Sequence, residues 1–212
     1  MSVRQRGFGL LETLLAVALG AMVLAGVSQL FAAAYQAWRW QGAALQMQGD
    51  ARLVLKRMAE DIRMAGMFGC LQLDDADFAS ATAAQAFAAP VRIAAGQLSL
   101  VVAELPGHSG AADWTLLTDC QSTARVEDGR ALGDAGRMAI PISRLVYQLS
   151  GTSLMLVRGR SRQPLLEDVR ALRVWQLEDG RIELELELHQ TAHALTQYHR
   201  LSVALRNGPM AP

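Results

Sequence analysis

One carboxylate, Glu12, stands near the start of an apolar run from Phe8 to Ala34, where the only other polar side chains are Thr13, Ser28 and Gln29. An acid at a bilayer centre costs ~2.5–3.5 kcal/mol on insertion scales, so a carboxylate in such a run marks a function beyond anchoring. The other residues with chemistry-bearing types are less promising. His189 and His193 are four apart, the spacing of zinc ligands on a helix. They follow an alternating strand, where four residues span roughly 13 Å, too far for one metal, and they read as polar loop histidines. Asp74, Asp75 and Asp77 offer oxygen ligands for calcium, but the glycine turn and trailing glutamate of a calcium loop are missing, so the stretch reads as a solvated acidic loop. Ser99 and Ser202 fall in strands and read as surface positions. No phosphate-cradling glycine loop or nucleophile elbow occurs. The expectation is therefore no catalytic residue, no metal ligand, no cofactor and no enzyme activity. Cys70 and Cys120 are either two buried thiols or, in an exported domain, one disulfide. Such a bond closes a loop of about 50 residues and constrains the unfolded chain by ~4 kcal/mol in the entropy account.

The elements that must position these residues follow from the pattern. The chain has 212 residues, 51% of them apolar, which suffices for a core in one domain plus an extension. Basic and acidic residues balance at 20 each, and Lys56 is the only lysine. The basic residues are scattered, so the clustered patch of a nucleic-acid binder is absent and no direct nucleic-acid partner is expected. Met1 to Gly7 is a short polar leader with Arg4 and Arg6. As a helix, Phe8 to Ala34 is roughly 40 Å long, enough to cross a bilayer with tilt. The basic leader and the single Arg39 close behind the span place the N-terminus in the cytoplasm and the remainder outside. Trp38 and Trp40 fit the membrane-interface belt. A cleaved signal peptide is the competing reading, with Ala32-Ala33-Ala34 as its cleavage site. Its apolar core is usually about 7–15 residues, shorter than this run.

The helical pattern does not stop at the membrane. Ala51, Val54, Leu55, Met58, Ile62 and Ala65 recur on one face, and Arg52, Lys56, Arg57, Glu60, Asp61 and Arg63 fill the rest. A helix from Phe8 to about Ala65 thus has a lipid-facing half and an amphipathic half whose stripe needs a globular partner. Gly20, Gly26, Gly42 and Gly49 are its weak points, at ~1 kcal/mol each relative to alanine. Gly66 and Gly69 signal its end. Leu71 to Ala89 reads as a loop with about one helical turn. Strands are expected at Gln97–Ala103, Trp114–Leu117, Ala139–Leu149, Ser153–Arg158 and Val169–Leu177, with loop from Gln121 to Gly136. Asp179-Gly180 is a hairpin turn signal. Ile182, Leu184, Leu186 and Leu188 then alternate with Glu183, Glu185 and Glu187, a half-buried strand with an acidic outer face, and a last strand runs from about Tyr198 to Arg206. The divisions are 1–7 leader, 8–34 spanning half of the helix, 35–66 amphipathic half, and 67–212 a β-rich globular domain. The fold class is α+β, a long N-terminal helix, transmembrane then amphipathic, packed on a mainly antiparallel sheet.

The opening residues resemble the type IV prepilin signature: a basic leader ending in glycine, Gly7, then an aromatic residue, Phe8, with glutamate at the fifth position of the mature chain, Glu12. Asp61-Ile62-Arg63-Met64-Ala65-Gly66 with Gly69-Cys70 resembles the end of the long helix in PilW-type minor pilins. Leu156-Val157-Arg158, Gln163 to Val169 and Leu172-Arg173-Val174 resemble the later part of that family, whose layout the J-type pseudopilins of type II secretion share. The stretch 71–136 resembles nothing named. The resemblance implies a pilin-like fold, cleavage between Gly7 and Phe8 by prepilin peptidase, and N-methylation of Phe8. It implies a minor pilin in a tip-associated complex that primes type IV pilus assembly. Its partners would be other minor pilins, the major pilin and a tip adhesin, and its location the inner membrane and then the pilus. The alternatives are a J-type pseudopilin and, from another class, a membrane-anchored or secreted periplasmic binding domain. Cleavage would leave the new amino group four residues, about one helical turn, from Glu12. Glu12 then pairs with its own amine or with that of a neighbouring subunit, since a buried charge is tolerable mainly when paired. The bland alternative is a carboxylate that snorkels to the interface.

Overall fold

The computed structural model describes residues 9–104, 110–134 and 136–207. The chain divides into two units, one up to Gln46 and one from Met47 onward. A single helix, α1, runs from Leu10 to Met64 and contributes to both.

Between Leu10 and Ala34 α1 is apolar on nearly every side and exposed throughout. Leu24 is 68% and Phe31 76% accessible. The span is long and apolar enough to cross a membrane, and none of its most apolar window is buried by the protein itself. Its hydroxyls are satisfied within the helix: Thr13 Oγ1 donates to the Leu10 carbonyl at 2.9 Å and Ser28 Oγ to that of Leu24 at 2.8 Å. That back-bonding removes the need for water. None of Gly20, Gly26, Gly42 and Gly49 interrupts α1.

The second unit begins on the amphipathic part of α1. Ala51, Val54, Leu55, Met58 and Ile62 are buried, as their spacing demands, and Met47 and Ala59 join them. Ala65, just past the helix, is buried too and bridges to Val102. Among the described residues the rest of the unit carries, besides two 3-10 turns, the short helix α2 (Ala81–Ala88) and the strands β1 (Val91–Ala94), β2 (Gln97–Ala103), β3 (Trp114–Thr118), β4 (Ala124–Asp128), β5 (Met138–Ser150), β6 (Ser153–Arg158), β7 (Ser161–Leu166), β8 (Val169–Gln176), β9 (Ile182–Gln190) and β10 (Leu195–Val203). Among the described residues these strands pair with one another antiparallel, in two sheets. One sheet is organised on β5, thirteen residues long. Leu145 to Gln148 pair with both β2 and β6, which therefore flank β5 on opposite sides. Ile142 pairs with both β2 and β3, which puts β3 beside the first part of β5 on the same side as β6. The other sheet has the order β10-β9-β8. The α+β layout, a long N-terminal apolar helix followed by antiparallel sheet, is the one expected and is consistent with a pilin-like fold.

Several details differ from the sequence reading. The stretch 71–89 carries more helix than one turn, a 3-10 turn at Asp75–Asp77 and the two-turn α2. Ser80 caps α2 by accepting the Ala83 N–H, and Ala83, Ala86 and Phe87 bury against Val101, Trp114, Leu116, Val126 and Ile142. Packing, not propensity, makes this helix. The polar stretch 121–136 contains β4, because one buried residue, Val126, suffices to seat five residues on β3. β1 is a four-residue strand paired with β2. β7 contains Pro164, which the ladder tolerates because β7 is an edge strand with a register shift opposite it. The last strand spans 195–203 rather than 198–206, since it pairs along the whole of β9, from Leu195 with Gln190 to Val203 with Ile182.

Candidate assembly site

Among the described residues α1 begins at Leu10, with Gly9 just before it. Gly7 and Phe8, the expected cleavage and methylation residues, lie outside the described residues. Glu12 occupies the first turn of α1, with its side chain exposed and its N–H bonded to the Gly9 carbonyl at 3.0 Å. Acid in the first turn also faces the positive end of the helix dipole. Glu12 is thus presented on an apolar cylinder that offers no cation of its own between Leu10 and Tyr35.

At its other end α1 is locked into the globular unit by contacts the sequence did not reveal. Tyr147, fully buried on β5, donates its hydroxyl to the Asp61 carboxylate. Burial pushes the Asp61 carboxyl above its usual range, against the pull of the Tyr147 hydroxyl and the Arg57 guanidinium. Burial, followed by the Asp61 charge, raises the Tyr147 phenol as well. Beside them Arg158 pairs with the nearly buried Glu104. Burial lowers the Arg158 pKa, and the Asp61 charge opposes that shift. Arg57, Asp61, Glu104 and Arg158 line a cavity of about 310 Å3 with Val102 and Leu145. The charges alternate in sign, so the cluster holds the helix on the sheet and has the composition of a structural network.

The helix stop at Gly66 has a cause in space as well as in conformation. Its φ is +79°, and a Cβ built there would fall 2.6 Å from the Asn207 carbonyl oxygen. Asn207 Nδ2 donates to the Arg63 and Ala65 carbonyls at 3.2 and 3.4 Å, capping α1 from 144 and 142 residues away. Only glycine fits between these partners.

Just beyond, Cys70 and Cys120 form a disulfide with a Cα separation of 5.4 Å. Cys120 adopts φ +56°, a conformation an L residue holds only when its surroundings impose it. The neighbouring Asp119 does so: its carboxylate accepts the N–H groups of Gln121, Ser122 and Thr123 at 2.9 Å, which hold its pKa far below the usual carboxylate range.

The remaining candidates are settled into the fold. His189 lies in β9 with Nδ1 2.9 Å from Thr196 Oγ1, and His193 lies in a 3-10 turn with Nδ1 2.9 Å from Gln190 Oε1. The Asp77 carboxylate accepts the Asp74 N–H at 2.8 Å. Among the described residues no group of three or more His, Cys, Asp or Glu side chains could hold a metal. Ser99 and Ser202 lie in β2 and β10. The acidic face of β9 is not simply solvated. Arg173 reaches Glu185 at 2.6 Å and Glu187 at 3.4 Å, and Arg200 reaches Glu185 at 2.6 Å and Glu183 at 3.6 Å. Arg200 and Arg173 lower the Glu185 pKa. The partners come from β10 and β8, so the alternation along β9 alone could not show them.

With this geometry in hand, comparison with known proteins adds one finding. Residues 3–28 match the prokaryotic N-terminal methylation motif, which is typical of type IV pilins and pseudopilins. The matched span covers Gly7, Phe8, Glu12 and the helix to Ser28. No curated protein and no solved structure matches the chain.

Proposed function

We propose that the protein is a minor pilin of the PilW type, a structural subunit that helps prime type IV pilus assembly within a tip-associated complex. The observation that carries this reading is the methylation motif at 3–28 running without a break into a fully exposed apolar helix that bears Glu12. Prepilin peptidase would remove residues 1–7, and Phe8 would become the methylated N-terminus. Residues 8–34 would span the inner membrane before assembly, with 35–66 and the globular domain on the periplasmic side. Other minor pilins and the major pilin would then replace lipid around the apolar cylinder, and a tip adhesin is a further candidate partner. Docking brings Glu12 to an N-terminal amine, which relieves a carboxylate that lipid leaves uncompensated. Proteins that carry this motif are structural rather than catalytic.

A J-type pseudopilin of type II secretion would share the motif. The Gly66-Met67-Phe68-Gly69-Cys70 segment and its disulfide to Cys120 favour the pilus reading. Mass spectrometry of the mature N-terminus tests the proposal against a binding domain on an ordinary anchor or signal peptide. A chain that starts at N-methylated Phe8 is expected. An intact Met1, or a start near Tyr35, overturns the reading. The Glu12→Ala chain is expected to enter the membrane normally and to be depleted from sheared pili, as read by immunoblot of the two fractions.

A further inference from the structure

The apolar run of α1 is longer than a bilayer's hydrocarbon core is thick. Leu10 to Ala34 spans about 37 Å as helix, against a core of ~30 Å. The excess is more than one turn, so hydropathy alone leaves the level of α1 in a membrane unfixed by that amount. A cluster at the outer end of the run removes this freedom. Tyr35, Trp38 and Trp40 are 52%, 68% and 47% accessible, and Arg39 is the only charged side chain between Glu12 and Asp50. The Tyr35 and Trp38 ring centroids lie 6.1 Å apart, and the Arg39 guanidinium stands 6.0 Å from the Tyr35 centroid. At about 100° per residue, Trp38 and Trp40 leave the helix on nearly opposite sides. From Tyr35 to Trp40 the cluster covers about 7.5 Å of helix axis, close to the thickness of one headgroup layer.

That distribution chooses between partners. A neighbouring helix takes one side of α1, whereas rings set around the axis with a cation among them suit a layer that surrounds it. Indole and phenol rings combine an apolar body with a polar tip, and a guanidinium matches lipid phosphate. We propose that Tyr35, Trp38, Arg39 and Trp40 form a girdle that binds the phosphate and carbonyl layer of the periplasmic leaflet and sets the depth of α1 in the membrane. With Tyr35 at the hydrocarbon border, Leu15 reaches the opposite border ~30 Å away, and Glu12 stands about one turn beyond it. Without the girdle, the apolar run would centre itself and α1 would move outward by nearly one turn, about 4.5 Å. This rests on the membrane-anchored reading above and adds what sets the level at which Glu12 waits for its amine.

Depth-dependent fluorescence quenching tests it on the full chain in vesicles of phosphatidylethanolamine and phosphatidylglycerol, with a nitroxide on the lipid chains either near the ester or near the methyl end. The emission lost in Trp38→Tyr with Trp40→Tyr belongs to these two rings, because Trp114 and Trp175 are common to both proteins. The shallow label is expected to quench that emission at least about threefold more than the deep one. In the same Trp38→Tyr, Trp40→Tyr background, the emission gained with Leu15→Trp reports the opposite border. Placing Ser instead at 35, 38 and 40 is expected to draw that probe into the membrane and to lower its shallow-to-deep quenching ratio at least about twofold. Stronger quenching of the two rings by the deep label, or none by either label in a chain that floats with the vesicles, overturns the girdle and leaves the assembly reading standing. So does an unchanged Leu15→Trp ratio. Quenching that disappears as the protein-to-lipid ratio rises assigns the rings to a neighbouring helix and overturns the lipid partner. A chain that does not float with the vesicles overturns both.

Discussion

The two parts of α1 use the same apolar vocabulary for opposite ends. Between Leu10 and Ala34 apolar residues surround the helix, and none is buried by the protein. Between Met47 and Ile62 they form one stripe, and Met58 and Ile62 are 0% accessible. Both parts are continuous helix, rich in the strong helix formers alanine and leucine, and each contains glycine without breaking. What differs is the angular distribution of apolar side chains, and that distribution names the surroundings each part requires. A helix apolar on all sides requires lipid or other helices. A striped one requires a sheet.

Charge placed in each part separates the two most sharply. Ile62→Asp puts an unpaired carboxylate into the closed stripe and is expected to cost upwards of about 4 kcal/mol, leaving the globular unit unfolded by circular dichroism. Leu24→Asp is expected to leave that unit's melting temperature unchanged and to lower membrane insertion instead, by ~2.5–3.5 kcal/mol. If both variants lose the same property, the division of labour fails. A smaller effect is expected at the stop between helix and domain. Gly66→Ala meets both a left-handed φ and the Asn207 carbonyl, and a loss of about 1–3 kcal/mol in a denaturant melt is expected. Gly49→Ala, with nothing within 4 Å of its Cβ, is expected to be neutral or to gain up to about 1 kcal/mol.

The subtlest effect lies at Asp61. Its folded pKa stands above the ordinary 3.8, so the folded state binds this proton more tightly than the unfolded one. The stability that Asp61 contributes is therefore fully present below 3.8 and is lost as pH rises through the folded value. Asp119, Asp134, Asp179 and Glu185 are shifted the other way and lose their contribution on acidification. Asp61→Asn leaves those four in place. The melting temperature of wild type minus that of Asp61→Asn is expected to increase as pH falls toward 3.8, and a flat difference would remove Asp61 from the account.

The sequence was most legible where one period rules a long segment. The stripe from Ala51 to Ala65 and the alternation from Ile182 to Leu188 each specify both an element and its buried face. Two cysteines leave one intrachain pairing to consider. It was least legible where a residue's partner lies far along the chain. β4 depends on Val126 finding α2, and α2 depends on Phe87 finding Trp114. Asp61 reads as one more polar residue on a helix until Tyr147 stands beside it, 86 residues later. Glu12 is the reverse case. Its oddity is visible in the sequence, while the cation that would answer it belongs to another terminus or another subunit.

Asn207 sets an order of events. The Arg63 and Ala65 carbonyls at the end of α1 lack their Asn207 donor until the chain beyond β10 has come back to the helix. In sequence order α1 therefore precedes by 143 residues the side chain that closes its end. A chain truncated before Asn207 leaves both carbonyls without this donor, so the helix end reports whether the stretch after β10 is in place.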